Sequence, residues 1–299
     1  MKYYTLDVFT EQIFSGNQLA VFPDAQGLSS EIMQKIAIEF NFSETVFVFP
    51  AQNAEANALL RIFTPGGEIP FAGHPTIGTA YLLAKLGQFN LDSPQTEVIL
   101  EEKAGLVPVM IESVNGIPTS ALLTAPLTPE FYPQCPAIND LAQVLSLSEK
   151  QLQVEGWQPM AVSCGLPFLI IPVRDVEALK EAKINQPQWE RVLKDFWAPH
   201  VYPFVKLAEN EYRVRMFAPA LNITEDPATG SAASAFAGYL TQRETAQEGR
   251  WAWQIYQGED VGRCSRLGAH GFKENGIITK VQVKGASVIV TSGELFLAN

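Results

Sequence analysis

His74 stands between Gly73 and Pro75 in the stretch Ile69 to Ala84, IPFAGHPTIGTAYLLA. A proline in the first helical position has no N–H to leave unpaired and a φ already suited to a helix. Pro75 therefore predicts a helix from about Thr76 to Leu86, with His74 at its mouth. Free backbone N–H groups and the positive end of the helix dipole gather at such a mouth. They suit a carboxylate or another anion, and they favour the neutral imidazole. A histidine held this way serves either chemistry or structure, bonded to a nearby carbonyl. Asp226 has a comparable place in Glu225-Asp226-Pro227-Ala228-Thr229-Gly230-Ser231, where it reads as a helix N-cap, as a ligand contact, or as both. Gly230 and Ser231 offer backbone N–H groups and a hydroxyl to an anion, and Gly73 permits close backbone approach. Glu44, in Ser43-Glu44-Thr45, directly precedes an apolar, aromatic strand. Burial there would raise its pKa and suit it to proton transfer near neutral pH; composition alone favours a solvated loop glutamate.

These residues sit in an internal repeat. His74-Pro75-Thr76-Ile77-Gly78-Thr79-Ala80 can be laid on Asp226-Pro227-Ala228-Thr229-Gly230-Ser231-Ala232, with proline, glycine, a small hydroxyl residue and alanine in matching places. Upstream, Arg61-Ile62-Phe63-Thr64-Pro65 matches Arg215-Met216-Phe217-Ala218-Pro219. Two matched blocks in the same order imply a duplicated half-chain. Two such halves facing each other would make a cleft with a helix mouth on either wall, His74 on one and Asp226 on the other.

Other chemistries fit less well. Ser231, His74 and Asp226 suggest a hydrolase triad, but Gly-Ser-Ala is not a G-x-S-x-G elbow, and a serine and an aspartate at one helix start do not set the aspartate behind the histidine. Cys164 follows a strand and reads as a buried thiol. The three cysteines and three histidines are scattered, so neither a disulfide framework nor a zinc site is expected. The net charge of −11, from 21 basic and 32 acidic residues, argues against nucleic acid and anionic membrane as partners. The start MKYYTLDVFT lacks the apolar core of a signal peptide, and no apolar run approaches membrane-spanning length. A reducing cytoplasm is the expected setting.

The elements that must position these residues follow from pattern. Strands are expected at Tyr3 to Phe9, Leu19 to Phe22, Thr45 to Phe49, Leu59 to Phe63, Glu97 to Glu101, Val107 to Ile111 and Thr119 to Leu123, with a turn at Phe14 to Asn17 and a helix capped by Ser29 or Ser30 and running to about Glu39. Pro126, Pro129, Pro133 and Pro136 mark a linker. Beyond it, helices are expected at Ile138 to Leu147, Val176 to Lys183, Gln188 to Phe196 and from the second mouth to about Arg243. Strands are expected at Pro159 to Ser163, Phe168 to Val173, Val201 to Lys206, Tyr212 to Phe217, Ala252 to Gln257, Gly276 to Val283 and Ala286 to Leu297. Strands and helices do not alternate strictly, and no G-x-G-x-x-G or Walker loop is present, so a Rossmann fold is not expected.

DVFT, F-x-GN-x-LAVF, SETVFV, RIFTPGGEIPFAGHPTIGTA, EDPATGSA and QGEDVGR occur in this order from Asp7 to Arg263. Together they resemble the phenazine-biosynthesis PhzF-like family, with Gln18 and Cys264 where the family usually has proline. The resemblance implies an α+β fold like that of diaminopimelate epimerase: two similar domains, about 1–125 and 126–299, each a curved, mostly antiparallel sheet round a central helix, with the active site in the cleft between them. The fold analogy allows the last strand, about 286–299, to pack with the first domain. The epimerase's catalytic cysteines are missing from both helix mouths. The resemblance further implies a homodimer and a cofactor-independent, metal-free isomerase acting on a small carboxylate-bearing substrate, either dihydro-hydroxyanthranilate-like or amino-acid-like. Carried onto this chain, Glu44 is the acid/base, His74 and Asp226 hold the substrate's polar groups and steer protonation, and Gly73, Gly230 and Ser231 bind its carboxylate or developing charge. Asn17 either lines the cleft or shapes its turn; Arg263 is read as structural. The competing readings are an amino-acid-type epimerase or racemase and a non-catalytic small-molecule binder.

Overall fold

The computed structural model describes residues 1–297. The chain runs through β1 (Lys2–Val8), β2 (Asn17–Phe22), α1 (Ser30–Phe40), β3 (Glu44–Phe49), β4 (Ala58–Thr64), β5 (Gly67–Ile69), α2 (Gly73–Lys85), β6 (Gln95–Glu102), β7 (Gly105–Val114) and β8 (Ile117–Thr124). It continues through β9 (Glu130–Tyr132), α3 (Ile138–Val144), α4 (Glu149–Leu152), β10 (Met160–Ser163), β11 (Pro167–Pro172), α5 (Val176–Glu181), α6 (Gln186–Val192), β12 (His200–Ala208) and β13 (Glu211–Val214). The last elements are α7 (Gly230–Arg243), β14 (Gly249–Gln257), β15 (Ser265–Glu274), β16 (Ile277–Gly285) and β17 (Ser287–Glu294). Strands dominate and helices are few, an α+β fold. Among the described residues no helix is long and apolar enough to cross a membrane.

Two compact units form, one from residues 1–124 with the chain from Lys284 onward, the other from residues 125–283. In the first, β17 pairs antiparallel with β1, and β1 antiparallel with β2. From β2 onward the pairings are parallel to β3, antiparallel to β4, parallel to β6, then antiparallel to β7 and β8. In the second unit the same succession recurs: β10 antiparallel to β11, β11 parallel to β12, β12 antiparallel to β13, β13 parallel to β14, β14 antiparallel to β15. The repeat seen in the sequence is thus a repeat of topology.

In each unit the strands pack round one helix. α2 contacts β1, β2, β3, β6, β7, β8 and β17, and α7 contacts β10, β11, β14 and β15. A helix enclosed by strands must be apolar or small on every face. α2 accordingly buries Gly73 through Ala80 without a break, and α7 buries Ala232 through Thr241. Gly78 is needed for this approach: a Cβ there would lie 2.6 Å from Leu19 Cδ2 and 2.7 Å from Val8 Cγ2. The matched arginines also behave alike. Arg61 makes a two-pronged pair with Glu68 and lies over the Phe63 ring, while Arg215 makes one with Glu225 and lies over Phe217.

Several expectations are corrected. α2 begins at Gly73, so Pro75 is its third residue; the first-turn N–H groups have no intrahelical partner, and proline is tolerated throughout that turn. Glu44 is the first residue of β3, not the residue before it. β9 lies inside the proline-rich linker, pairing with β10. The helix expected to run to Leu147 ends at Val144, and α4 follows as a separate turn with a capping box at Ser148. β15 was not expected, because its inward positions include Gly271. A Cβ on Gly271 would come within 1.7 Å of Thr241 Oγ1, so close packing on α7 excludes the side chains that usually announce a strand. The last two residues of the expected final domain lie outside the described residues.

Candidate active site

In the first unit, β2 and β3 run parallel with Leu19 beside Glu44, and α2 starts against them. This register brings the Glu44 carboxyl to the His74 ring, Oε2 to Nε2 at 3.3 Å. His74 is buried, whereas the Glu44 side chain keeps 16% of its surface exposed. The imidazole also hydrogen-bonds the backbone of Gln18. Its Nε2 has no hydrogen bond, so the bond to Gln18 runs through Nδ1–H. Burial lowers the His74 pKa to about 3, against the smaller upward pull of Gln18, so the ring is neutral near pH 7. The contact with Glu44 is therefore not an ion pair. It is an imidazole lone pair facing a carboxyl oxygen, and a proton carried by Glu44 would bridge the two.

Gly73 and His74 are the first residues of α2, and the first helical bond runs from Thr76 N to Ala72 O. Their N–H groups lie in the turn where a helix has donors to spare. Asn17, the first residue of β2, is buried and paired in register with Val8.

In the second unit, Asp226 is not at the N-cap position of α7. Thr229 holds the N-cap position, and Asp226 lies in the loop before it. Asp226 is buried, and its Oδ2 accepts the Thr229 hydroxyl at 2.5 Å. Gln257, the last residue of β14, clamps this loop: its Nε2 donates to Asp226 O at 2.8 Å and to Thr229 Oγ1 at 3.0 Å, and its Oε1 accepts Thr229 N at 3.3 Å. The Tyr202 hydroxyl is raised well above its ordinary pKa by burial and then by the Asp226 charge. Gly258 follows with φ +82°, and a Cβ there would meet Arg263 O and Pro227 O at 2.4 and 2.5 Å. The segments EDPATGSA and QGEDVGR are therefore one structure. Gly230 and Ser231 form the first turn of α7, where N–H groups again precede the first helical bond, Ala233 N to Thr229 O.

The structure thus brings Glu44, His74, Gly73 and Asn17 into the first unit and Asp226, Gly230 and Ser231 into the second. Gln257, Thr229 and the Gln18 backbone join them; Gln257 opens the segment QGEDVGR, but only the fold shows that it reaches Asp226. Cys164 is buried, and burial pushes its thiol up to about 12, which fits an inert thiol.

A sequence model of phenazine biosynthesis-like proteins matches residues 6–293. An uncharacterised isomerase of Mesorhizobium japonicum is 36% identical, with 99% of each chain covered. The trans-2,3-dihydro-3-hydroxyanthranilate isomerase of Pseudomonas aeruginosa is 32% identical, again with 99% of each covered. Among solved structures, a PhzF-family phenazine biosynthesis protein of Bacillus anthracis aligns with a TM-score of 0.88 at 26% identity, covering 99% of both chains.

Proposed function

The chain belongs to the family of phenazine biosynthesis-like proteins and is an isomerase, and from that premise we propose that it moves a proton within a small carboxylate-bearing substrate by general acid–base catalysis at Glu44. The observation that carries this reading is the Glu44–His74 pair. A partly exposed carboxyl can meet substrate, and the neutral ring beside it accepts a hydrogen bond from the carboxylic acid.

In the forward step the Glu44 carboxylate takes a proton from one substrate carbon. The acid so formed is held against His74 Nε2 and returns the proton to another carbon. One carboxylate does both jobs, so no cofactor is needed for the transfer. Between the two steps the substrate carries developing negative charge, which the N–H groups at the start of α2, Gly73 foremost, are suited to stabilise. Gly230 and Ser231 are proposed to bind the substrate carboxylate, and Asp226, fixed by Gln257 and Thr229, to hold a polar substrate group. Asn17 sets the start of β2 beside Glu44.

The test is proton NMR in D₂O with trans-2,3-dihydro-3-hydroxyanthranilate, comparing the natural protein with Glu44→Gln. The expected result is isomerisation, slowed on the order of 10²- to 10⁴-fold in the variant with substrate binding retained; the newly protonated carbon should carry protium where return is faster than exchange of the Glu44 acid with D₂O, and deuterium where it is slower. Equal rates in both proteins would remove Glu44 from the mechanism. Deuterium entering a single stereocentre of an amino-acid-like carboxylate, with no change of constitution, would make the enzyme an epimerase instead.

A further inference from the structure

Glu102 ends β6 in the first unit and is 4% exposed. Its counterpart in the second unit follows from register. Arg61 matches Arg215, so Leu59 matches Arg213. Leu59 pairs with Glu101, and Arg213 with Tyr256. The next residues along the two strands are Glu102 and Gln257. Each reaches a threonine hydroxyl at the start of its unit's central helix: Glu102 Oε1 lies 2.5 Å from Thr76 Oγ1, and Gln257 Nε2 lies 3.0 Å from Thr229 Oγ1.

The hydrogens can be counted. In the second unit the Gln257 amide donates to Thr229 Oγ1, which passes its own hydrogen to Asp226. In the first unit Thr76 Oγ1 is within hydrogen-bond distance of two oxygens, Glu102 Oε1 and, at 2.7 Å, Ala72 O. A hydroxyl has one hydrogen, and the backbone carbonyl has none to give. One hydrogen cannot serve both oxygens at full strength, whereas a proton on the carboxyl would satisfy both contacts.

We infer that Glu102 is carried as the neutral acid, donating from Oε1 to Thr76 Oγ1 as the Gln257 amide does to Thr229, and that this chain positions the start of α2 on which Gly73 and His74 stand. The second half of this inference rests on the function proposed above. Burial pushes Glu102 up to about 8, against the pull of the Thr76 hydroxyl, in keeping with a neutral acid at pH 7. Its Oε2 is buried and accepts no hydrogen bond, a cost that a carboxylate would feel more than an acid. Titratable groups on the surrounding elements are His74, Tyr81 and Lys85 on α2, Arg61 on β4, Glu97 and Glu101 on β6, Lys103 in the turn and Glu112 on β7. Arg61 is engaged by Glu68, Glu112 by Lys284, and Glu101 by the N–H groups of Gln52 and Asn53. What acts on the Glu102 charge is burial first and the Thr76 hydroxyl second.

Glu102→Gln is the decisive variant, because glutamine is what the second unit already uses. Infrared difference spectra of natural protein minus Glu102→Gln at pH 7 should show a buried protonated-carboxyl C=O band, shifted by Thr76→Val. A carboxylate band in its place would overturn the protonation state whether or not any substrate is turned over. With trans-2,3-dihydro-3-hydroxyanthranilate, Glu102→Gln should hold kcat/KM at pH 7 within about twofold and abolish an alkaline limb near pH 8 present in the natural protein. Glu102→Leu, which cannot donate, should lose roughly tenfold or more while remaining folded by circular dichroism. Leucine matching glutamine in activity would overturn the positioning role. If the natural protein leaves this substrate unchanged, the proposed reaction and the positioning role fail together, while the infrared result still decides the state of Glu102.

Discussion

Glu44 Oε2 and His74 Nε2 face each other at 3.3 Å, and the histidine's other nitrogen is committed to the Gln18 backbone. The tautomer of the ring is thereby fixed, with the Nε2 lone pair toward the carboxyl. Its histidine contributes a lone pair and no charge.

That neutrality has a pH signature. The folded ring titrates at about 3, below the ordinary 6.5, so between these values the unfolded chain binds the extra proton and the folded chain does not. Stability should therefore fall as pH drops from about 6.5 toward 3, by on the order of a few kcal/mol. Thermal melts of the natural protein and of His74→Gln across this range check the sign: the variant should show the shallower acid-side loss. The kcat/KM profile should contain no inflection from His74 between pH 5 and 8.

Gln257→Leu leaves Asp226 O and Thr229 N buried without the partner that held them. An orphaned buried group costs about 1–3 kcal/mol. Urea denaturation should show a loss of at least that size, and KM should rise more than kcat falls if Asp226 holds substrate.

Arg215 donates both to Glu225 and to the carbonyls of Leu179, Lys180 and Ala182, which end α5. Arg215→Met strands the buried Glu225 carboxylate and should cost roughly 3–5 kcal/mol. Arg215→Met with Glu225→Gln should recover part of that loss. The matching Arg61→Met should cost less, since the Arg61 and Glu68 side chains keep 26% and 23% of their surface exposed. Denaturant midpoints of the four proteins decide this.

Gly271→Ala sets a methyl group against Thr241 on α7. Overpacking of this kind costs about 1–3 kcal/mol, and the melting temperature should drop accordingly. Adding Thr241→Ala should restore part of it, because the nearest clash is with the threonine hydroxyl.

Much of this molecule was legible in the sequence, and the gaps have physical causes. The duplicated blocks announced two similar halves because Arg61 and Arg215 have the same work, a glutamate and a phenylalanine ring each. Glu44 and His74 could be named as separate candidates, but their contact depends on the parallel register of β2 and β3, which no local pattern encodes. The helix start was misplaced by Pro75, since proline suits any residue of a first turn. Asp226 looked like a cap because aspartate caps well; it stands three residues before the cap position, its backbone tied to Gln257 and Met216 and its carboxyl accepting the Thr229 hydroxyl. β15 escaped notice because Gly268, Ala269 and Gly271 carry no strand signal. Gln257 was invisible as a site residue because its role lies in a hydrogen-bond pattern between distant segments.

β17 pairs with β1 along its length, Lys2 opposite Glu294 and Val8 opposite Ser287. The second unit is one uninterrupted stretch of chain, whereas the first needs residues from both ends. During synthesis on the ribosome, the unit that carries Glu44 and His74 emerges first and is completed last. Until β17 arrives, β1 waits with one edge unpaired, open to pairing with another nascent chain. The second unit can fold in the meantime. The candidate catalytic pair is thus set in the later-finished half, so a chain halted before β17 would leave that half with an open sheet edge.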